Sequence, residues 1–281
     1  MQDGWAELVR GGAGYPEPLL RLEGSLSAER LWLRGCIPPG PRIAIVGTRR
    51  ADATGRAVAR ILSGHAVDRG NAVVSGGAHG VDTEAHRACL ERGGRTLVVA
   101  ATPPGHVYPA GNAGLYDDAV ERGGGILTET PPDRRVKPHM FLRRNRLVAT
   151  LSERVVVVQA GHRSGALSTA SWARKLGIPV LAVPGSPLSR LSDGPNRLIE
   201  RGQASILCRL EGLVEPDGHL DGECRKVLRL VGADSVPVSR LAIESGIKAR
   251  RVQQILLELE LGGFVRRTDF SQYVLEKENI K

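Results

Sequence analysis

Hydrophobic residues along this chain fall mostly into short runs rather than one continuous stripe. Runs of Val, Ile, Leu and Ala occur at 43–46, 72–74, 96–100, 125–127, 155–158 and 179–183, bounded by turn-forming residues. Amphipathic stretches of helical length lie between them at 54–69, 82–92, 112–122, 140–151 and 166–176. Strands apolar on both faces and joined by helical crossovers predict a mostly parallel sheet covered on both sides, a doubly wound α/β domain over 41–212. Ligands of such sheets bind at the carboxyl ends of the strands, so function is sought in the loops that follow each run.

The flanking segments follow other patterns. Residues 1–40 hold Tyr15, Pro16, Pro18, Pro38 and Pro39 with only short apolar stretches, which predicts an extension packed on the core. The acidic stretch 213–222, with Gly and Pro, reads as a linker. Beyond it, 223–281 predicts helices at 223–231, 238–244 and 248–261, with Gly246 as a turn, then two alternating runs within GGFVRRTDFSQYVL. Three helices followed by a β-ribbon predict a small winged-helix domain.

A hydrophobic fraction of 41% and a charged fraction of 25% exclude collagen-like and mainly disordered chains. The four cysteines are far apart, which suggests neither a zinc site nor a disulfide framework. With no apolar leader and no long apolar run, a soluble cytoplasmic protein without membrane contact is expected. The net charge of +9 changes the picture more, because of where it sits. Residues 1–210 carry 28 Lys or Arg against 18 Asp or Glu, whereas 211–281 carry 11 against 12. An anionic partner is therefore expected on the larger domain.

Four loops there suit phosphate. Val46-Gly47-Thr48-Arg49-Arg50 ends the first run before a helix, but Arg49 stands where a GxGxxG fingerprint has its second glycine, which disfavours a dinucleotide cofactor. Ser75-Gly76-Gly77-Ala78-His79-Gly80-Val81-Asp82 offers a concave row of amides, with Asp82 as the expected helix N-cap. His79 and His86 lack the spacing of a zinc pair, so no metal is expected. Residues 134–163 hold eight cations against Glu153 alone. Among them Arg143, Arg144 and Arg146, with Asn145, are expected to open a helix, where acids are usually preferred. Arg163-Ser164-Gly165 with Thr169 forms another glycine turn into a helix. Four such loops on one sheet edge fit a polyanion gripped by its backbone, with arginine planes available to stack on bases and with Phe141 and Trp172 assigned to the core.

The ordered motifs VGTRR, SGGAHGVDTEAH, FLRRNRLVATLS, VVVVQAGHRSGALSTA and AVPG resemble the bacterial DNA-processing protein A (DprA, or Smf) family over nearly the whole chain. The resemblance implies an extended Rossmann-like domain that binds single-stranded DNA without catalysis, forms a homodimer and delivers the RecA recombinase, in natural transformation where the host is competent. It also implies phosphate contacts at Arg49, Ser75, Gly76, Gly77, Arg144, Asn145, Arg146, Ser164, Gly165 and Thr169, beside the candidates Gly47, Arg50, Arg143 and Arg163 drawn from the loops themselves. Two positions depart from the family pattern: Ala110 and Gly111 follow Tyr108-Pro109 where a basic residue is frequent, and Gln159 replaces an acid. Two rivals stay open, a winged-helix transcription regulator with a nucleotide-sensing large domain and a phosphoribohydrolase-like enzyme. The neutral tail counts against the first, and the absence of a PGGxGTxxE loop against the second. A dimer surface is expected at the sheet's far edge, near 179–183.

Overall fold

The computed structural model describes residues 4–213, 222–231, 235–261, 265–269 and 272–275, which divide into two compact units at Leu213. The first unit is built on a nine-stranded sheet. Its parallel part comprises β3 (Arg42–Val46), β4 (Ala72–Ser75), β5 (Thr96–Ala100), β6 (Gly125–Thr128), β7 (Arg154–Val157), β8 (Val180–Ala182) and β9 (Ser205–Ile206). Helices α1 (Ala53–Asp68), α2 (Val81–Glu91), α3 (Ala113–Glu121), α4 (Pro138–Thr150), α5 (Gly165–Lys175) and α6 (Asp193–Glu200) connect them. Every residue of β4, β5 and β7 is buried, as expected of strands covered on both faces.

The first 40 residues do more than pack on the core. Strand β1 (Trp5–Val9) pairs antiparallel with β2 (Arg30–Gly35), and β2 pairs antiparallel with β6. The extension thus adds two strands to the sheet, and Leu19, Leu22, Ala28 and Leu31 join the main core. Mixed burial along β1 and β2 hides them from a period-two reading.

Strand order along the sheet is β1-β2-β6-β5-β4-β3-β7-β8-β9. After β3 the chain winds to one side through β4, β5 and β6, then crosses back to lay β7 against β3, with Ala44 opposite Val155. Connections after β3 and β7 therefore diverge, which opens a crevice at this switch point.

The second unit has its own core of Val227, Leu241, Val252, Ile255, Leu256 and Leu259. Helices α7 (Gly222–Leu230), α8 (Val238–Ser245) and α9 (Ala249–Leu261) pack with a three-stranded sheet of β10 (Val236–Pro237), β11 (Val265–Asp269) and β12 (Gln272–Leu275). Gly246, left-handed at φ 67°, caps α8 where the sequence placed a turn. Except for its two end residues, the expected linker at 213–222 lies outside the described residues.

Candidate nucleic-acid interface

A cleft of about 840 Å³ opens at the switch point, walled by the loops that follow β3, β4 and β7 and by the start of α4. The β3 loop is stitched to the β7 loop by the Thr48 amide, which donates to the Gln159 carbonyl at 2.6 Å. Asp52 caps α1 by accepting from the Gly55 amide at 2.8 Å, and the Gln159 side-chain amide donates to the same carboxylate at 2.9 Å. These bonds hold the Asp52 carboxyl below its ordinary pKa, the Gly55 amide contributing most. They also account for a neutral residue at 159, since a carboxylate there would oppose Asp52 at hydrogen-bonding distance.

Ahead of this cap, Arg49 and Arg50 are exposed into the cleft. The Arg49 guanidinium lies 5.4 Å from the Phe141 ring centre and 6.0 Å from that of Tyr108. The two rings meet edge to face at 5.2 Å. Phe141 therefore leaves the core assignment: it is half-buried and lines the cleft, while Trp172 packs against the core as expected.

The glycine turn after β4 differs from the expected open nest. Gly80 occupies the N-cap position of α2. The Asp82 carboxylate instead reaches back to accept from the amides of Gly76 and Ala78 at 3.1 and 3.4 Å. An internal carboxylate thus takes the place expected for an external anion. Burial raises its pKa, opposed chiefly by the positive charge of Arg144. Ser75 is fully buried and donates its hydroxyl to the Ile45 carbonyl at 2.7 Å, so it is not offered to a ligand. Gly77, at φ 70°, turns the chain where a Cβ would collide with the Tyr116 hydroxyl, and it lies behind the cleft wall.

The FLRRNRL segment also departs from expectation. Lys137 and Pro138 start α4, Pro138 being suited to the first helical position, so the arginines fall in later turns rather than at the helix opening. Successive helical residues point about 100° apart, and this separates their roles. Arg144 is 4% exposed; it donates to the Gly76 carbonyl at 2.6 Å, to the Val99 carbonyl, and to Asn145 Oδ1 at 3.3 Å. Burial lowers its pKa, offset mainly by Asp82. Asn145 donates in turn to the Gly165 carbonyl at 3.0 Å, which ties α4 to the start of α5. Arg146, 1% exposed, grips Glu129 through two 2.6 Å bonds and donates to the Leu26 carbonyl at 2.8 Å. It is therefore a scaffold residue that fixes the N-terminal extension, with no guanidinium face left for phosphate. Arg143 turns away from the cleft toward Glu129, 3.4 Å from its carboxylate.

At the fourth loop, Ser164 caps α5, Arg163 is exposed, and Thr169 is buried in the wall. Of the residues expected at the site, Gly47, Arg49, Arg50, Gly76, Arg144 and Asn145 line the cleft, as do Arg163, Ser164, Gly165 and Thr169. Ser75, Gly77, Arg143 and Arg146 do not. Tyr108, Lys137 and Arg190 also line it. Lys137 belongs to the dense basic run, and Arg190 lies in the loop after the sixth apolar run, where the carboxyl-end rule pointed without singling it out.

Electrostatically the cleft is one-sided. Arg49, Arg50, Lys137, Arg163 and Arg190 are exposed around it, and none forms an ion pair with a carboxylate among the described residues. Asp82 is the sole lining carboxylate, and it is buried. Among the described residues there is no group of three or more His, Cys, Asp or Glu fit for a metal ion, and no helix long and apolar enough to cross a membrane. The arrangement suits a chain of phosphates on a cationic floor beside two aromatic rings.

The family model for DNA recombination-mediator protein A matches residues 8–216, which hold the cleft and all of this sheet but the start of β1. The chain belongs to that family. The model for the DprA winged-helix domain matches residues 213–269, the second unit as far as β11. Among curated family members, the chain is 38% identical over 244 residues to a putative DNA processing protein DprA of Mycobacterium tuberculosis, covering 80% of this chain and 62% of that one. It is 32% identical to protein Smf of Escherichia coli, covering 80% and 65%. The chain thus spans less than two thirds of the length of these relatives. Among solved family structures, the Streptococcus pneumoniae protein superposes with a TM-score of 0.66 at 31% identity, covering 74% of this chain and 73% of that one. The Helicobacter pylori protein, described for its single-stranded DNA binding mode, gives 0.65 at 29% identity, covering 74% and 93%. The chain thus has the α/β, Rossmann-like fold of these structures and, after it, a DprA winged-helix domain.

Proposed function

We propose that the first unit binds single-stranded DNA by its phosphate backbone, without catalysis, across the cleft at the β3–β7 switch point. The observation that carries this reading is the ring of five exposed cations, without a carboxylate partner among the described residues, around a cleft whose only lining carboxylate among those residues is buried. Arg49, Arg50, Arg163, Arg190 and Lys137 contact phosphates, with amides at Gly47 and Gly165 beside them. Arg144, Asn145, Gly76 and Thr169 form the floor that keeps these groups in place. Tyr108 and Phe141, with Arg49 over both, give unpaired bases a stacking surface that a duplex cannot reach. A glycosidic cleavage requires two carboxyl groups flanking the scissile bond, and this lining supplies only Asp82, held by two amides.

Family membership and the Helicobacter relative support the same substrate. On that basis the protein acts in the cytoplasm as a homodimer that protects the strand and loads RecA for homologous recombination, including natural transformation in a competent host. The winged helix serves protein contact or regulation. A duplex-reading regulator is disfavoured because Arg251, one of the few cations on the third helix, is engaged by Glu223 at 2.8 Å and Glu258 at 3.5 Å.

The test is binding of labelled single-stranded and duplex oligonucleotides across a salt series. The single strand should bind tighter. Arg49→Ala should weaken it by about tenfold and reduce the slope of log affinity against log salt by about 0.7. Equal or stronger duplex binding, unchanged by Arg49→Ala, would overturn the proposal and return the winged helix to consideration.

A further inference from the structure

Arg143 is cationic, 53% exposed, and turned away from the main cleft into a separate pocket of about 240 Å³. That pocket lies on the opposite flank of α4 and is lined by Glu129, Thr130, Pro131, Arg134, His139 and Met140 with Arg143. Residues 137, 138, 141 and 142 face the main cleft, while 139, 140 and 143 face the second pocket. The first two turns of α4 therefore form a wall between two cationic hollows.

Glu129 would be expected to repel an anion here, but its charge is already answered. Each of its oxygens takes a 2.6 Å bond from the buried Arg146 guanidinium. Arg143 adds only a marginal contact through Nε at 3.4 Å, which leaves its two terminal nitrogens open to the pocket. Arg134, exposed at the other side, has no carboxylate partner among the described residues. Arg134, Arg143 and Arg146 against Glu129 leave two positive charges at a hollow roomy enough for a phosphate, with the His139 ring as a further polar group.

We propose that this pocket is a second phosphate subsite, which takes a backbone phosphate of the same single strand after it has crossed α4 from the main cleft. The subsite rests on the backbone-binding reading of that cleft. An α-helix with its side chains is about 10–12 Å across, farther than a single sugar-phosphate repeat of an extended strand reaches. The two pockets therefore hold phosphates that are not neighbours, and only a strand long enough to span α4 fills both.

The experiment uses the full chain and thymidine oligonucleotides of about four to about sixteen nucleotides, with Arg134→Ala, Arg143→Ala and the wild type. Neither substitution unseats Glu129, which keeps the two hydrogen bonds donated by Arg146, and thermal unfolding confirms that each variant is folded. Wild-type affinity should rise in two steps with length. Both variants should bind the shortest strands as the wild type does, lose the second step, about tenfold in affinity, and show a salt slope lower by about 0.7 on long strands only. A second step retained in both variants, or absent from the wild type, overturns the subsite and leaves the cleft reading intact. A wild type that binds no strand of any length overturns the cleft reading, and the subsite with it.

Discussion

The cleft floor holds two buried groups of opposite charge, each favouring the other's ionised form, and removing either should cost more than the bonds it makes. Asp82 is 6% exposed and Arg144 4%. Replacing Arg144 by Met deletes its bonds to the Gly76 and Val99 carbonyls and to Asn145, and leaves the Asp82 carboxylate buried without a positive counterpart. Breaking a buried charge pair from one side costs about 3–5 kcal/mol, a large share of the ~5–15 kcal/mol that holds a domain folded. Asp82→Asn strands the guanidinium instead and turns an acceptor into a mixed group facing two donors, at a cost of similar size. The double variant leaves no charge uncompensated, so it should fall short of the summed costs by about 1–3 kcal/mol. All three tryptophans, Trp5, Trp32 and Trp172, lie in the first unit, so guanidinium unfolding followed by intrinsic fluorescence reads that unit directly. Each kcal/mol lost should lower its Tm by about 2–4 °C. Single-variant costs that add within about 0.5 kcal/mol would refute mutual compensation.

Further outcomes follow from neighbouring contacts. His86 is fully buried with Nδ1 2.6 Å from the Thr96 hydroxyl, and burial, aided by Arg144, pushes its pKa down to about 3. Only the unfolded ring takes a proton between the ordinary histidine value of 6.5 and that level, so the contribution is fully present above pH 6.5 and is lost as pH falls toward about 3. His86→Gln should flatten the stability profile across this window by up to about 1.4 kcal/mol per pH unit, measured by denaturant melts at stepped pH; an unchanged slope would count against it. Gly76→Ala would place a Cβ 2.5 Å from the Arg144 guanidinium, and should lower both Tm and single-strand affinity while leaving the winged helix folded. Gln159→Glu should destabilise the first unit by about 1–2 kcal/mol at neutral pH by setting a carboxylate against Asp52, with the loss shrinking as pH falls through the carboxylate range. A chain ending at Leu213 should retain single-strand binding, read by the same oligonucleotide titration; loss of affinity in a folded truncation would assign binding to the second unit.

Much of the fold is legible from local pattern. The runs at 43–46 and 96–100 fall within or on β3 and β5, because strands buried on both faces must be continuously apolar. Helix α5 begins one residue before its expected start, because a serine cap and a glycine turn are local signals. The basic run 134–163 brings the exposed Lys137 and Arg163 to the cleft, because an excess of charge survives any arrangement of the chain. Strands β1 and β2 escaped notice because β1 buries only Leu8 and β2 only Leu31, and their pairing is fixed by the edge they meet at β6 rather than by their own alternation.

Within the site, the sequence by itself determined which loops gather and what charge they carry. It did not determine which way each arginine faces. Arg143, Arg144 and Arg146 share one short motif, yet one opens on a second pocket, one underlies the cleft and one locks the N-terminal extension. These roles depend on Glu129, on Gly76, 68 residues away, and on Leu26, 120 residues away. The same holds for Asp82, whose carboxylate closes a nest that composition alone reads as open. Local turn chemistry is written in neighbouring residues, whereas the availability of a charge is decided by partners that only the folded chain brings within reach.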